Sequence, residues 1–423
     1  MKSELQNKVI YQVYVRNYTK AGTFKALIKK LDYIKSLGID IIYLLPIHEI
    51  GQKGKKGSLG CPYSIKDYYS IAQELGTLND FKKLIKEVHN RNMKIMMDVV
   101  FNHTSRDSIL IDQHKDWYWK NKDGELSNRV GDWTDVYDLN HDNLELEEYL
   151  SDNVKYWADL GVDAFRFDVA SILPLRFYKM IREKIGDEII LLAESVDPNF
   201  IKFLRTIGAA NATDSELYEY FDLTYPYDIF SAYRAYFNKP SFKNKQFLEY
   251  MIHIQGSLLP QGALKINCLE NHDQPRIASF FKGNALKNIT ALSFFLKGTA
   301  FIYGGQEVKE KHLPSLFEKE TINLKVKDKD FLDFIKNLIN FKHNDLNKNI
   351  KESFVIKNDN KSVFTIKNIY ETHELLGLFN VSNKTIEYNN DLKDGEYVNL
   401  LNGKKIIVKN SIISIFEPIV LKL

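Results

Sequence analysis

The chain has 423 residues, of which 44% are apolar and 27% charged, and a net charge of +3. That balance is ordinary for a folded globular protein and lacks the concentrated basic face of a nucleic-acid binder, which excludes nucleic acid as the main partner. No window approaches the roughly 18 uninterrupted apolar residues of a membrane span, and MKSELQNKVIYQVYV at the start has no apolar core of signal-peptide length.

In chain order, strand-like apolar runs alternate with runs of helical period. VIYQVYV (9–15) reads as a strand. FKALIKKLDYIKSLG (24–38) sets Phe24, Leu27, Ile28, Leu31, Ile34 and Leu37 on one helical stripe and stops at a glycine. IDIIYLL (39–45) is the next strand, ended by Pro46. The KGKK run at 53–56 reads as a solvated loop and lacks phosphate-loop spacing. Thr77 opens the helix TLNDFKKLIKEVHNRN with Asp80 three residues on, a capping-box-like start. KIMMDVV (94–100) follows as a strand. The pattern continues through helix 144–160, strand 163–169, helix 174–185, strand 188–194, helix 199–207 and strand 217–224. It closes with helix 243–254, strand 263–269, helix 285–297, strand 299–304 and helix 330–342.

Eight strands with helices between them imply parallel pairing, and their span suits a (β/α)8 TIM barrel; a doubly wound open sheet is the alternative. The barrel is expected over 1–100 and 144–344, with a small inserted domain, rich in Asp, Asn and Trp, over 101–143. Beyond about residue 345, short strands such as SVFTIKN and ELLGLFNVS are split by Asn, Asp and Gly turns, which predicts an antiparallel β-sandwich domain over 345–423. This domain either covers one side of the barrel or binds carbohydrate. Trp157 falls on helix 144–160 as core; Trp117, Trp119 and Trp133 either pack the insert or stack on a sugar, with Trp133 nearest the cleft. Cys61 and Cys268 form no short-range pattern, so reduced thiols in a cytoplasmic protein are expected.

DAFRFDVA (163–170) breaks the apolar rule of a buried strand. Side chains alternate faces, so Ala164, Arg166 and Asp168 share one face and Phe165, Phe167 and Val169 the other. In a barrel the phenylalanines pack on helices and the charges look inward, where they need partners or a ligand. The anomaly recurs: Asp98, Asn102 and His103 end the third strand, Glu194 ends the fifth, and Asn271, His272 and Asp273 end the seventh. Strand C-termini build the active sites of barrels. Zinc-ligand spacing and a G-x-S-x-G elbow are missing. What converges is carboxylates beside an arginine, the equipment for cleaving a glycosidic bond. Arg166 favours the charged form of Asp168, as a nucleophile requires, and the apolar LLA run before Glu194 raises its pKa, as a proton donor requires.

In these residues the chain resembles the α-amylase family of glycoside hydrolases, over essentially its whole length. DVVFNH (98–103), GVDAFRFDVA (161–170), LLAES (191–195) and ENHDQPR (270–276) resemble the family's four signature regions, in order. VYDLNHDN (136–143), PYSIKDYYSI (62–71) and FIYGGQE (301–307) resemble the close of the inserted domain, the segment with a stacking tyrosine, and the eighth strand. The resemblance implies a retaining double displacement with Asp168 as nucleophile, Glu194 as acid/base and Asp273 as third acid. It implies substrate contacts from Tyr63, Asp98, His103, Arg166, His272 and Arg276. The expected activity is hydrolysis of α-glucosidic bonds, α-1,4 foremost, in malto-oligosaccharides or related α-glucans. Glycosyl transfer or isomerisation on the same fold, and a non-catalytic carbohydrate-binding homologue, are the alternatives. Two departures stand out. Ser171 and Ile172 occupy positions where many α-amylases carry a Lys-His pair that contacts the leaving-group sugar. RNYTKAGTF after the first strand lacks a D-x-[ND]-x-D calcium pattern, and the short insert weakens a second calcium site built on the asparagine matching Asn102, so no metal or other cofactor is expected.

Overall fold

Eight apolar segments pair in parallel and close on themselves in a computed structural model that describes residues 2–423. They are β1 (Val9–Val13), β2 (Ile41–Leu44), β3 (Lys94–Val99), β4 (Ala164–Phe167), β5 (Ile190–Ala193), β6 (Leu223–Thr224), β7 (Leu264–Asn267) and β8 (Thr299–Tyr303). They stand in chain order around the barrel, and β8 closes it on β1 through Val9↔Ala300 to Gln12↔Tyr303. The surrounding helices include α1 (Phe24–Ile28), α2 (Leu31–Leu37), α3 (Leu78–His89), α4 (Leu144–Asp159) and α5 (Leu175–Ile185). They continue with α6 (Pro198–Thr206), α7 (Phe230–Asn238), α8 (Phe242–Leu258), α9 (Gly283–Phe295) and α10 (Lys329–His343).

The two-residue period of each strand decides what looks where. Ile10, Tyr43, Met96, Ala164, Leu192, Ile266 and Phe301 form a core inside the barrel. Their neighbours Tyr11, Ile42, Ile95, Phe165, Leu191 and Ile302 face the helices in a larger outer core. Phe167 lies outward too, its ring 5.5 Å from Tyr178 of α5. Arg166, between the two phenylalanines, therefore points into the barrel.

Local chemistry sets the element ends. Asp80 N donates to Thr77 Oγ1 at 3.2 Å and Thr77 N to Asp80 Oδ2 at 3.1 Å, the reciprocal cap that starts α3. Three elements differ from the sequence expectation. The stripe over 24–38 is broken at Lys29 and Lys30 into α1 and α2. Most of the strand expected over 217–224 is not strand: Thr213 and Glu216 form a capping box that winds Asp214–Leu217 into a helical turn, and β6 keeps two residues. The helix α7 was not anticipated, because its Phe230, Tyr233 and Phe237 stripe spans only two turns.

The insert begins and ends on one antiparallel ribbon, His103–Ser105 against Val136–Asp138, at the mouth of the barrel. Trp117 is buried there, stacked on His114 at 3.7 Å, and Trp157, carried on α4, is fully buried. The C-terminal strands are β9 (Glu352–Ile356), β10 (Val363–Ile369), β11 (Glu374–Asn380), β12 (Ile386–Asn389), β13 (Gly395–Val398), β14 (Lys405–Val408), β15 (Ile412–Ile415) and β16 (Ile419–Lys422). In the antiparallel sheet β9-β10-β11-β16 the strands β10, β11 and β16 are buried on both faces, and β9 forms an exposed edge. Phe364, Ile366 and Phe379 join the outer core of the barrel, and Val363, Leu376 and Leu378 pack on Tyr388, Ile413 and Ile415 of the β12/β15 ribbon. A Cβ at Gly377 would meet Phe295 of α9 at 2.7 Å, so the sheet approaches the barrel as closely as glycine permits. No helix among the described residues is long and apolar enough to cross a membrane.

Candidate active site

Past the inner apolar core, the inward positions at the C-terminal ends of β3, β4 and β5 carry Asp98, Arg166, Asp168 and Glu194. The ladder continues beyond the strands themselves: Asp168 N donates to Val99 O at 2.9 Å and Glu194 N to Phe167 O at 3.0 Å. Backbone pairing therefore fixes both carboxylates. Arg166 is 0% exposed and its fork touches three of them. Nη1 donates to Asp98 Oδ1 and Asp168 Oδ1, each at 2.8 Å. Nη2 lies 2.7 Å from Glu194 Oε1, an ion pair without hydrogen-bond alignment. Glu194 Oε2 instead accepts from Val169 N at 2.7 Å.

Three buried carboxylates around one guanidinium leave an excess of negative charge. Burial, opposed by Arg166, pushes Asp168 up to about 6 and Glu194 up to about 7; Asp98 is also raised, by burial first. The sequence expectation that Arg166 would dominate at Asp168 is thus reversed: desolvation outweighs the ion pair. Val169, which follows Asp168, has φ 38° and ψ 46°. A β-branched residue there is strained by roughly 1–3 kcal/mol, a cost that concentrates at functional sites.

The remaining expected residues join through hydrogen bonds. Tyr63 OH donates to Asp98 Oδ2 at 2.8 Å and lies 2.6 Å from His272 Nε2, its ring stacked on the imidazole. His272 Nε2 is 3.1 Å from Asp273 Oδ2. Burial disfavours charge on His272, but Asp273 outweighs it and raises the imidazole pKa; burial likewise works against Asp273, yet His272 holds that carboxyl below its usual range. The Asp273 side chain is 40% exposed, the most open of the acids. His103 sits at the rim, with Nε2 3.2 Å from Tyr63 O and its ring 5.3 Å from that of Trp133.

Arg276 is not brought to this cluster. Its Nη1 donates to Glu270 Oε1 at 2.8 Å, Nη2 to Gly304 O at 3.0 Å and Nε to His312 O at 3.2 Å. Its guanidinium carbon lies 3.8 Å from the centre of the Tyr303 ring. With its fork occupied by protein, it braces the turn that carries His272 and Asp273 and is corrected from the substrate contacts to a structural residue. Two contributors were overlooked. Tyr43 OH donates to Asp98 Oδ2 at 2.8 Å, and Gln12 Nε2 lies 2.9 Å from His272 Nδ1. Gln12 is a polar residue at an inward position of an apolar strand, the same signal that marks Arg166.

The asparagine implicated in calcium binding by resemblance, Asn102, faces a cation of another kind. Arg129 Nη2 donates to Asn102 Oδ1 at 3.3 Å, and Asp138 Oδ2 accepts from Arg129 N and Nε at 3.0 and 2.9 Å. A guanidinium already neutralises buried Asp138, and donors fill the acceptor positions that a calcium ion needs. Held in this way by Arg129, Asn102 and Asp138 do not fit the metal.

Two family models match the chain: "Alpha amylase, catalytic domain" over residues 12–133 and 109–370, and "Bacterial Alpha amylase C-terminal domain" over 355–421. The chain belongs to the α-amylase family of glycoside hydrolases. An alpha-amylase from Lactobacillus plantarum superposes with a TM-score of 0.93 at 36% identity, covering 100% of both chains. The noncanonic maltogenic alpha-amylase AmyB from Thermotoga neapolitana follows at 0.86 and 30%, covering 99% of both. By sequence, "Probable oligo-1,6-glucosidase 3" of Bacillus subtilis is 27% identical over 397 residues, 77% of this chain and 69% of that protein. "Alpha-amylase 3" of Dictyoglomus thermophilum is 29% identical over 336 residues, 72% of this chain and 64% of that protein. The chain thus spans about two thirds of the length of these curated relatives.

Proposed function

We propose that this α-amylase family member hydrolyses α-glucosidic bonds, α-1,4 foremost, in short malto-oligosaccharides with retention of configuration. The observation that carries the reading is the single guanidinium of Arg166 touching both Asp168 and Glu194 in a buried cluster. A retaining glycosidase needs its two carboxyls about 5 Å apart, and a pair that shares one arginine fork is compatible with that spacing. Asp168 attacks the anomeric carbon while Glu194, protonated near pH 7, delivers its proton to the departing oxygen. The covalent glycosyl ester then breaks when Glu194, now a base, takes a proton from water and the water oxygen bonds to the anomeric carbon. Asp273, with His272, Tyr63 and His103, holds the hydroxyls of the reacting sugar, and Asp98 with Arg166 fixes Asp168. Two free cysteines fit a reducing compartment such as the cytoplasm.

Maltoheptaose digestion followed by chromatography, with NMR of the first-formed anomer, tests this. Shorter products of α-configuration are expected. Longer products would transfer the assignment to a glucanotransferase. No conversion of maltoheptaose alongside cleavage of isomaltotriose would overturn the α-1,4 preference in favour of the bond named in the oligo-1,6-glucosidase relatives.

A further inference from the structure

Arg129 lies on the chain between the two strands of the insert's ribbon, and its partners sit beneath the rim of the site. The ribbon sets His103 opposite Asp138 in register. Asp138 is buried, and Arg129 meets its Oδ2 twice, through N at 3.0 Å and Nε at 2.9 Å. The far end of the same guanidinium, Nη2, reaches the buried amide of Asn102 at 3.3 Å. That amide in turn lies 3.3 Å from Asp138 Oδ1 and 3.1 Å from His103 Nδ1. On the other side of the imidazole, Nε2 is 3.2 Å from Tyr63 O.

Donor and acceptor chemistry orders this chain of contacts. A guanidinium only donates, so the Asn102 atom that faces it is the carbonyl oxygen. The other end of the amide is then the NH2 group, which donates to the Asp138 carboxylate and to His103 Nδ1. A ring nitrogen that accepts carries no proton, so the single proton of the neutral imidazole sits on Nε2. The far side agrees, because the Tyr63 carbonyl only accepts.

From this we infer that Arg129 is a positioning residue: its fork fixes the amide of Asn102, and the amide fixes His103 as a neutral ring with its proton on Nε2, a donor kept ready for a sugar hydroxyl. The inference rests on the reading of His103 as a group that holds the reacting sugar. A cation that only neutralised Asp138 would need charge alone. The relay needs the planar fork, because one guanidinium serves the carboxylate through Nε and the amide through Nη2. A neutral N–H donor suits an uncharged hydroxyl, and beside the carboxylates of this site it adds no competing positive charge.

The experiment reads the imidazole nitrogen resonances of His103 in the full chain, identified by their absence from His103→Gln, together with kcat/KM for maltotriose. Arg129→Lys keeps the positive charge beside Asp138 and gives up the fork. Asn102→Asp sets an acceptor in place of the amide donor against Nδ1. Wild type is expected to show the proton on Nε2 alone, Asn102→Asp a proton on Nδ1, and Arg129→Lys a mixture of the two tautomers with the melting midpoint retained. In both variants kcat/KM is expected to fall about 10-fold, the scale of one hydrogen bond. His103 resonances unchanged in either variant would overturn the relay and leave the catalytic reading standing. Resonances that change while kcat/KM stays at the wild-type value would overturn His103 as a sugar contact. A wild-type protein that leaves maltotriose intact would overturn the catalytic reading itself, with the resonances still deciding the relay.

Discussion

Two of the fully buried arginines near the C-terminal rim of the barrel, Arg166 and Arg276, are built oppositely. Arg276 faces one carboxylate, Glu270, whose second oxygen accepts from Ile277 N, and its remaining nitrogens donate to carbonyls. Charge and hydrogen bonding balance. Arg166 faces three carboxylates, and its Nε and Nη2 lack an aligned acceptor. The first arrangement is what stability asks of a buried ion pair. The second is unbalanced, and repulsion among its carboxylates adds to the burial that raises Asp168 and Glu194 toward values that serve proton transfer.

The comparison breaks most sharply at Asp168, the proposed nucleophile. Asp168→Asn should lower kcat/KM by on the order of 10⁴-fold with the circular-dichroism spectrum retained and a melting midpoint no lower than wild type at pH 8. Near-normal turnover would remove the distinction between the two arginines. Next in size, Arg276→Ala strands Glu270 in the interior and should cost about 3–5 kcal/mol in urea unfolding. Replacing both residues, Arg276→Met with Glu270→Leu, should recover much of that loss.

Glu194→Gln separates activity from stability. Turnover should drop roughly 10²–10⁴-fold. Because the folded-state pKa of Glu194 is raised from 4.5 to about 7, the native protein holds its proton more tightly than the unfolded chain does. Ionising it therefore weakens the fold progressively from pH 4.5 to 7. The Gln variant should be more stable than wild type by up to about 3 kcal/mol at pH 8 and equal to it at pH 4. A variant less stable at pH 8 would contradict the excess of negative charge around Arg166.

The pH profile sharpens the same point. Asp168 must be ionised and Glu194 protonated, so kcat/KM should be bell-shaped with limbs near the values the pair adopts, about 6 and about 7. The smallest expected effect is none: chelation with EDTA should leave activity and melting midpoint unchanged, because Arg129 supplies the positive charge beside Asp138.

Charges that interrupt an apolar strand are legible without coordinates, which is why the inward parity of Arg166 and Asp168 follows from DAFRFDVA alone. Tyr43 is harder to see, because one tyrosine in a strand does not break the apolar pattern, and Gln12 breaks it only with a neutral amide, which is less costly to bury than a charge. Arg276 misleads for a different reason. Its backbone lies beside His272 and Asp273, but a long side chain after a tight turn can reach back six residues, and spacing does not say that Glu270 will meet it. The sixth strand misleads because the local capping of Thr213 by Glu216 overrides apolar residues that otherwise read as extended. The balance of desolvation against ion pairing at Asp168 depends on depth, which a sequence does not contain.

One contact has an evolutionary consequence. The donor that reaches Glu194 from the other acid's loop is the amide of Val169, part of the main chain. Exchanging the side chain at 169 leaves that donor in place, and only proline would delete it. The tie between the loops of the two acids is thus shielded from ordinary point mutation, and drift at this position is filtered by backbone shape and by the packing of the half-buried side chain, with glycine the residue that would relax the backbone at the expense of a firmly set turn.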